Sequence, residues 1–127
     1  MAVGNAYNVY KNNSVNFASK EQLLLMLVDG SVKFVKIARQ AILDRDIQKA
    51  HDNLIKTQDI FTELIISLDA AQAGGWGEDL LKIYNFIKSE LVRANIKKDL
   101  TIVDSIIPLI EDVRDTWNEA YKLSKKE

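Results

Sequence analysis

The side chain with the most obvious chemistry is His51, the only histidine in the chain. A lone imidazole can accept a phosphoryl group or move a proton. Four-helix phosphotransfer domains have about this length and carry an exposed histidine on a helix, with lysine three and glycine four residues later, the small residue leaving room for the phosphate. Here those positions hold Leu54 and Ile55. His51 also falls at the flank of an apolar stripe, so it reads as a half-buried polar residue, with a phosphotransfer bundle using His51 as the alternative function. One histidine cannot supply the two Glu-x-x-His pairs of a carboxylate-bridged two-metal bundle. The absence of cysteine removes disulfides, thiolate chemistry and Cys/His metal sites. An all-carboxylate site stays formally open, but Asp29, Asp59, Glu63 and Asp69 read most simply as solvated or capping charges. Gly74, Gly75 and Gly77 around Trp76 follow a helix rather than a strand and lack the lysine and hydroxyl residue of a phosphate loop, so they read as a turn. The expectation is a protein without enzymatic activity, metal or cofactor.

The chain has 127 residues, with 17 Lys plus Arg against 18 Asp plus Glu, and is 47% hydrophobic and 28% charged. That is the balance of one globular domain with one core. A net charge of −1 with no segregated basic stretch argues against nucleic acid as a partner. The closing lysines Lys122, Lys125 and Lys126 read as a solubilising helix end. Residues 1–15 lack a basic start followed by an apolar run, and the longest apolar stretch, Leu23 to Val28, is far below the roughly 20 residues of a membrane span. No membrane insertion and a cytoplasmic location are expected.

Between Ser19 and Ile42, apolar residues recur at three- and four-residue steps through Leu24, Leu27, Val28, Phe34, Val35 and Ala38, the period of a helix face. Ser19 with Gln22 three residues on predicts a capping box. A second helix follows residues 44–46 and runs to about Leu68 on Ala50, Leu54, Phe61 and Ile65. A third carries Leu80, Tyr84, Ile87 and Leu91 to about 96–98. A fourth, capped by Asp99, runs from Ile102 toward Ser124 with Pro108 inside it, which predicts a bend near Asp104. No stretch alternates with a two-residue period. The pattern predicts an all-α, antiparallel four-helix bundle over residues 19–127, preceded by a polar N-terminal arm, 1–18, that carries Tyr7 and Tyr10. Gln58, Asn95 and His51, polar residues on the stripes, form either a buried network that fixes register or a solvated edge.

Several large apolar residues miss the stripes. Met26 and Ile37 in the first helix, Ile60 and Ile66 in the second, Ile83 and Phe86 in the third and Ile107 in the fourth lie roughly 100–160° from their stripe centres at about 100° per residue. Scattered exposed apolar side chains are ordinary. Spare apolar flanks on all four helices instead suggest grooves for another amphipathic segment, or for self-association. Gly30 points with Met26 and Ile37, and its missing side chain predicts a depression that Tyr7 and Tyr10 could cover and yield to a partner.

The stretch from Asn16 to Ile42, with Gln22-Leu23-Leu24-Leu25-Met26-Leu27 leading to Asp29-Gly30, resembles the FliS-type flagellar secretion chaperones, as do Asp46, Ala50-His51, Leu54, Lys56, Gln58-Asp59-Ile60, Glu63-Leu64 and Ser67-Leu68-Asp69. Gly74-Gly75, Leu80, Tyr84, Ala94-Asn95, Asp99, Val113-Arg114-Asp115-Thr116-Trp117 and Ala6-Tyr7 extend the resemblance over nearly the whole chain. It departs from that pattern with Lys20 in place of a frequent proline and with Trp76-Gly77 after the paired glycines. The resemblance implies a cytosolic helical bundle that binds the C-terminal segment of flagellin, prevents its early polymerisation and assists delivery to the flagellar export apparatus. It also implies that Tyr7, with Tyr10 beside it, lies near the flagellin surface.

Overall fold

A computed structural model describes residues 19–70 and 75–125, apart from the side chains at 69, 70, 75 and 76. Four helices account for almost all of them: α1 (Lys20–Leu43), α2 (Ile47–Ala70), α3 (Gly75–Lys97) and α4 (Leu100–Lys125). Each helix packs against its neighbours in sequence, and α4 closes the ring on α1. The result is the expected antiparallel bundle.

Local chemistry sets the helix starts. At α1 the Ser19 hydroxyl accepts from the Gln22 amide at 3.2 Å, while the Gln22 side chain accepts from the Ser19 amide at 2.8 Å. Two of the amides left free at a helix start are thereby bonded, and Lys20 in place of proline leaves the cap intact. Asp46 accepts from the Lys49 amide at 3.1 Å ahead of α2, and Asp99 from the Thr101 amide at 2.8 Å ahead of α4. α3 starts at Gly75, inside the glycine-rich stretch that the sequence assigns to a turn, with Glu78 in its first turn at the positive end of the helix dipole. The helix ends use the left-handed region without glycine, with Arg45 at φ 60° and Lys98 at φ 49°. At Arg45 this lets the Asp46 amide reach the Ala41 carbonyl at 2.8 Å and closes the short α1–α2 turn.

The core is filled by Leu27, Val28 and Val35 from α1, Leu54, Phe61 and Leu64 from α2, Tyr84, Ile87 and Leu91 from α3, and Val103, Ile106 and Ile110 from α4. An aromatic chain ties three helices together. Phe61 meets Tyr84 edge to face, with ring centres 6.0 Å apart, and the Tyr84 hydroxyl accepts from the Trp117 indole N–H at 3.0 Å. Burial pushes the Tyr84 hydroxyl pKa up, with the Trp117 hydrogen bond opposing. Along the α1/α4 seam, Lys36 pairs with Glu111 at 2.9 Å and Arg39 with Asp104. These exposed pairs fix which helices are neighbours more than they stabilise. α4 continues through Pro108. Pro108 and Asp104 are both exposed, so the Asp104 carbonyl that loses its amide partner can bond water.

Candidate partner-binding surface

The apolar residues that the sequence places off the stripes divide into three groups. Ile60 is core: it is 0% exposed, contrary to the position read from the stripe. Lys56 Nζ lies 5.3 Å from the centre of the Phe34 ring, which sets the antiparallel register of α1 and α2. One turn further from the connecting turn on each helix, that register puts Ile60 opposite Gly30, itself buried. The depression expected at Gly30 therefore lies within the α1–α2 contact, where a missing side chain lets the helices approach closely. A stripe centre drawn from one helix cannot see this, because a helix with two neighbours buries an arc wider than one stripe.

Met26 and Ile37 on α1 are half-buried on the flank toward α2, and Ile107 on α4 is half-buried and packed against the core. Ile66, Ile83 and Phe86 remain open, at 54%, 43% and 54% exposed. Ile83 and Phe86 lie on the flank of α3 away from Asn95. Asn95 bonds to His51 of α2, so these two face the α3/α4 seam. Ile66 faces the α2/α3 seam instead. The predicted positions thus belong to separate seams and do not form one patch. Tyr7 and Tyr10 lie outside the described residues. Leu43, Val92, Ile96 and Leu123 are further exposed apolar side chains, and Ile47, which the period places on the core stripe of the second helix, is 55% exposed at the first turn of α2.

His51 is exposed rather than half-buried, and its Nδ1 lies 3.1–3.2 Å from the side-chain amide of Asn95, which is 9% exposed. The pair joins α2 to α3 at the edge of the seam; Gln58 makes no side-chain hydrogen bond to either. The residue most different from its sequence reading is Asp59, which is 6% exposed rather than solvated. Burial, the largest cause, raises its carboxyl pKa to about 6. No spacing in the sequence signals this: Asp59 shares a face of α2 with Ile66, seven residues on, which is 54% exposed. Among the described residues no helix is long and apolar enough to cross a membrane.

Residues 3–124 match the family described as flagellar protein FliS. The chain is 36% identical to the flagellar secretion chaperone FliS of Bacillus subtilis, covering 100% of this chain and 94% of that protein. It is 28% identical to the protein of the same name from Campylobacter jejuni, over 91% of each chain. The Escherichia coli protein of that name is also 28% identical, over 85% of this chain and 80% of its own length.

Proposed function

We propose, from the premise that this chain belongs to the FliS family of flagellar proteins, that it is a non-enzymatic flagellar secretion chaperone. In this reading it holds the C-terminal segment of flagellin along the seams between its helices, keeps that segment from polymerising early in the cytoplasm, and assists its delivery to the flagellar export apparatus. The observation that carries the reading is the family match across residues 3–124. The three open side chains Ile66, Ile83 and Phe86 support it, because a partner helix or extended strand laid over a seam would cover apolar surface that the core leaves unused. Half-buried Met26, Ile37 and Ile107 lie at the other two seams, α1/α2 and α1/α4, and are further candidate contacts there. Tyr7 and Tyr10 act in this scheme as arm residues that cover a seam in the free chain and yield it to the client. Because the client segment orders as it binds, part of the gain from apolar burial offsets that ordering, which keeps binding reversible enough for hand-over.

Analytical ultracentrifugation with and without a peptide of the flagellin C-terminal segment tests the reading. The expected result is a discrete complex of chain and peptide. A stable oligomer that ignores the peptide would instead assign the open flanks to self-association.

A further inference from the structure

The two seams that flank α4 are held differently. Lys36 with Glu111 and Arg39 with Asp104 bridge α1 to α4. Among the described residues no ion pair joins α3 to α4, and the one side-chain hydrogen bond across that seam is Trp117 to Tyr84. Asp112 is exposed and lies about 100° round α4 from Glu111, which puts it on the α3 side of the outer surface. Thr116 and Glu119 follow at four and seven residues, on the same flank. An open hollow of about 510 Å³ lies there, over Thr116, Ala120 and Leu123 and rimmed by Asp115 and Glu119. On the facing wall, Lys82, Phe86 and Arg93 recur at the same spacing along one flank of α3, all exposed, with Ile83 beside them.

The walls of this apolar groove carry opposite charge. Asp115 pairs with its neighbour Arg114 at 3.0 Å, while Asp112 and Glu119 pair with nothing among the described residues. On α3, Arg93 pairs with Glu90 of its own helix at 3.2 Å, Lys82 is free, and Asp79 near the helix start is a free acid. Register keeps Lys82 and Asp112 apart within one chain. The Trp117 to Tyr84 bond sets those two residues level, so Lys82 is level with Glu119, and Asp112 lies about two turns away from it.

A second copy, turned about a two-fold axis at the level of Phe86, brings the opposite charges together. Its α3 then runs antiparallel to the first α3, and therefore parallel to α4, in the groove between them. Phe86 of the second copy stays level with Thr116, over the hollow that Thr116 and Ala120 leave. Lys82 of the second copy, one turn earlier, comes level with Asp112, and its Arg93, two turns later, extends back toward Glu119. Each contact is made twice, because a two-fold interface pairs the same flanks in both directions.

We infer that the free chain pairs with a second copy of itself through the α3/α4 seam, with Phe86 seated over Thr116 and Ala120 and Lys82 facing Asp112. The inference goes beyond the client reading and concerns the chain with no client present. Its charges select the partner and the orientation, and its apolar centre supplies the attraction.

Sedimentation equilibrium of the full chain over a concentration series tests it, with circular dichroism confirming that every variant stays helical. The wild type should show a reversible monomer–dimer equilibrium, and Phe86→Asp should weaken it at least about tenfold, as loss of a central aromatic anchor does. Lys82→Glu and Asp112→Lys should each weaken it about tenfold, and the two together in one chain should restore it to within about threefold, because the swapped charges again face each other. Their separation within a chain means that this rescue reports a contact between copies. A wild type that stays monomeric at about 1 mM overturns the inference. So does a dimer that all three single substitutions leave unchanged, since it must use another face. Losses from the single swaps with no rescue in the double overturn it as well, because Lys82 would then not face Asp112.

Discussion

At the scale of single residues, two positions show what a one-dimensional pattern leaves out. Ile60 lies well off the stripe read from the sequence, yet it is fully buried because α2 packs against helices on two sides, and the α1/α2 register sets it level with the buried Gly30 of α1. The burial of Gly30 predicts the sign of a substitution. Gly30→Ala should gain up to about 1 kcal/mol of helix propensity. The added methyl is forced toward Ile60, and overpacking costs about 1–3 kcal/mol, so the variant should be net destabilised in urea unfolding. Ile60→Val should recover part of the loss in a double-mutant cycle; a stabilised Gly30→Ala would show that room remains between the helices. Asp59 was misread for a related reason: the sequence shows its charge but not what surrounds it. Its carboxyl is raised to about 6 in the fold, against about 3.9 in an unfolded chain. The native state therefore holds this proton more tightly, so the group favours folding most below about pH 4 and loses that contribution as pH rises through about 6. Asp59→Asn should raise Tm at pH 7.5 and leave it nearly unchanged at pH 4. Calorimetry at the two pH values checks this, and an equal shift at both would mean that the burial of Asp59 does not act through its charge.

At the scale of elements, far more was legible, since helix faces and caps are written in nearby residues. The period of Leu24, Leu27, Val28 and Val35 locates α1, Ser19 with Gln22 sets its start, and Asp99 sets that of α4. Two features were not legible. The start of α3 at Gly75 was hidden because glycine signals a turn unless a neighbouring helix gives it something to pack on. The left-handed turn residues Arg45 and Lys98 carry no glycine to announce them. Arg45 pays for that geometry, so Arg45→Gly should stabilise the bundle by up to about 1 kcal/mol. Thermal unfolding would reveal it as a higher Tm, and a lower one would mean that the Arg45 side chain contributes more than its backbone costs. Between elements, the hydrogen bond from Trp117 to Tyr84 links α4 to α3. Tyr84→Phe keeps the ring against Phe61 and removes only the acceptor, so the expected cost is about 1 kcal/mol. Urea unfolding of Tyr84→Phe and Trp117→Phe, singly and together, should show the two losses to be non-additive.

At the scale of the whole molecule, the ring of four helices separates what holds the fold from what meets a partner. Leu54 is 0% exposed at the centre of the bundle, while Phe86 and Ile66 are each 54% exposed on outer flanks. An unpaired carboxylate at position 54 costs several kcal/mol, comparable to the whole stability of a domain this size, about 5–15 kcal/mol. Leu54→Asp should therefore lose its cooperative unfolding transition and most of its helical ellipticity. A carboxylate at position 86 or 66 keeps its water, and surface changes of this kind stay within about 0.5 kcal/mol where no packing is lost. Because both side chains are half in contact with the bundle, a cost of about 1 kcal/mol is the upper expectation from the apolar area removed. Phe86→Asp and Ile66→Asp should thus retain the wild-type dichroism spectrum, with Tm lowered by only a few degrees, yet bind the flagellin peptide at least tenfold more weakly. The two residues face different seams, so the comparison between them also reports where the client runs. Equal losses require a segment that crosses α3, while a loss confined to one variant places the client in that seam alone. Wholesale unfolding of Phe86→Asp would mean that its ring belongs to the core despite its exposure, and the α3/α4 seam would then be closed to any client.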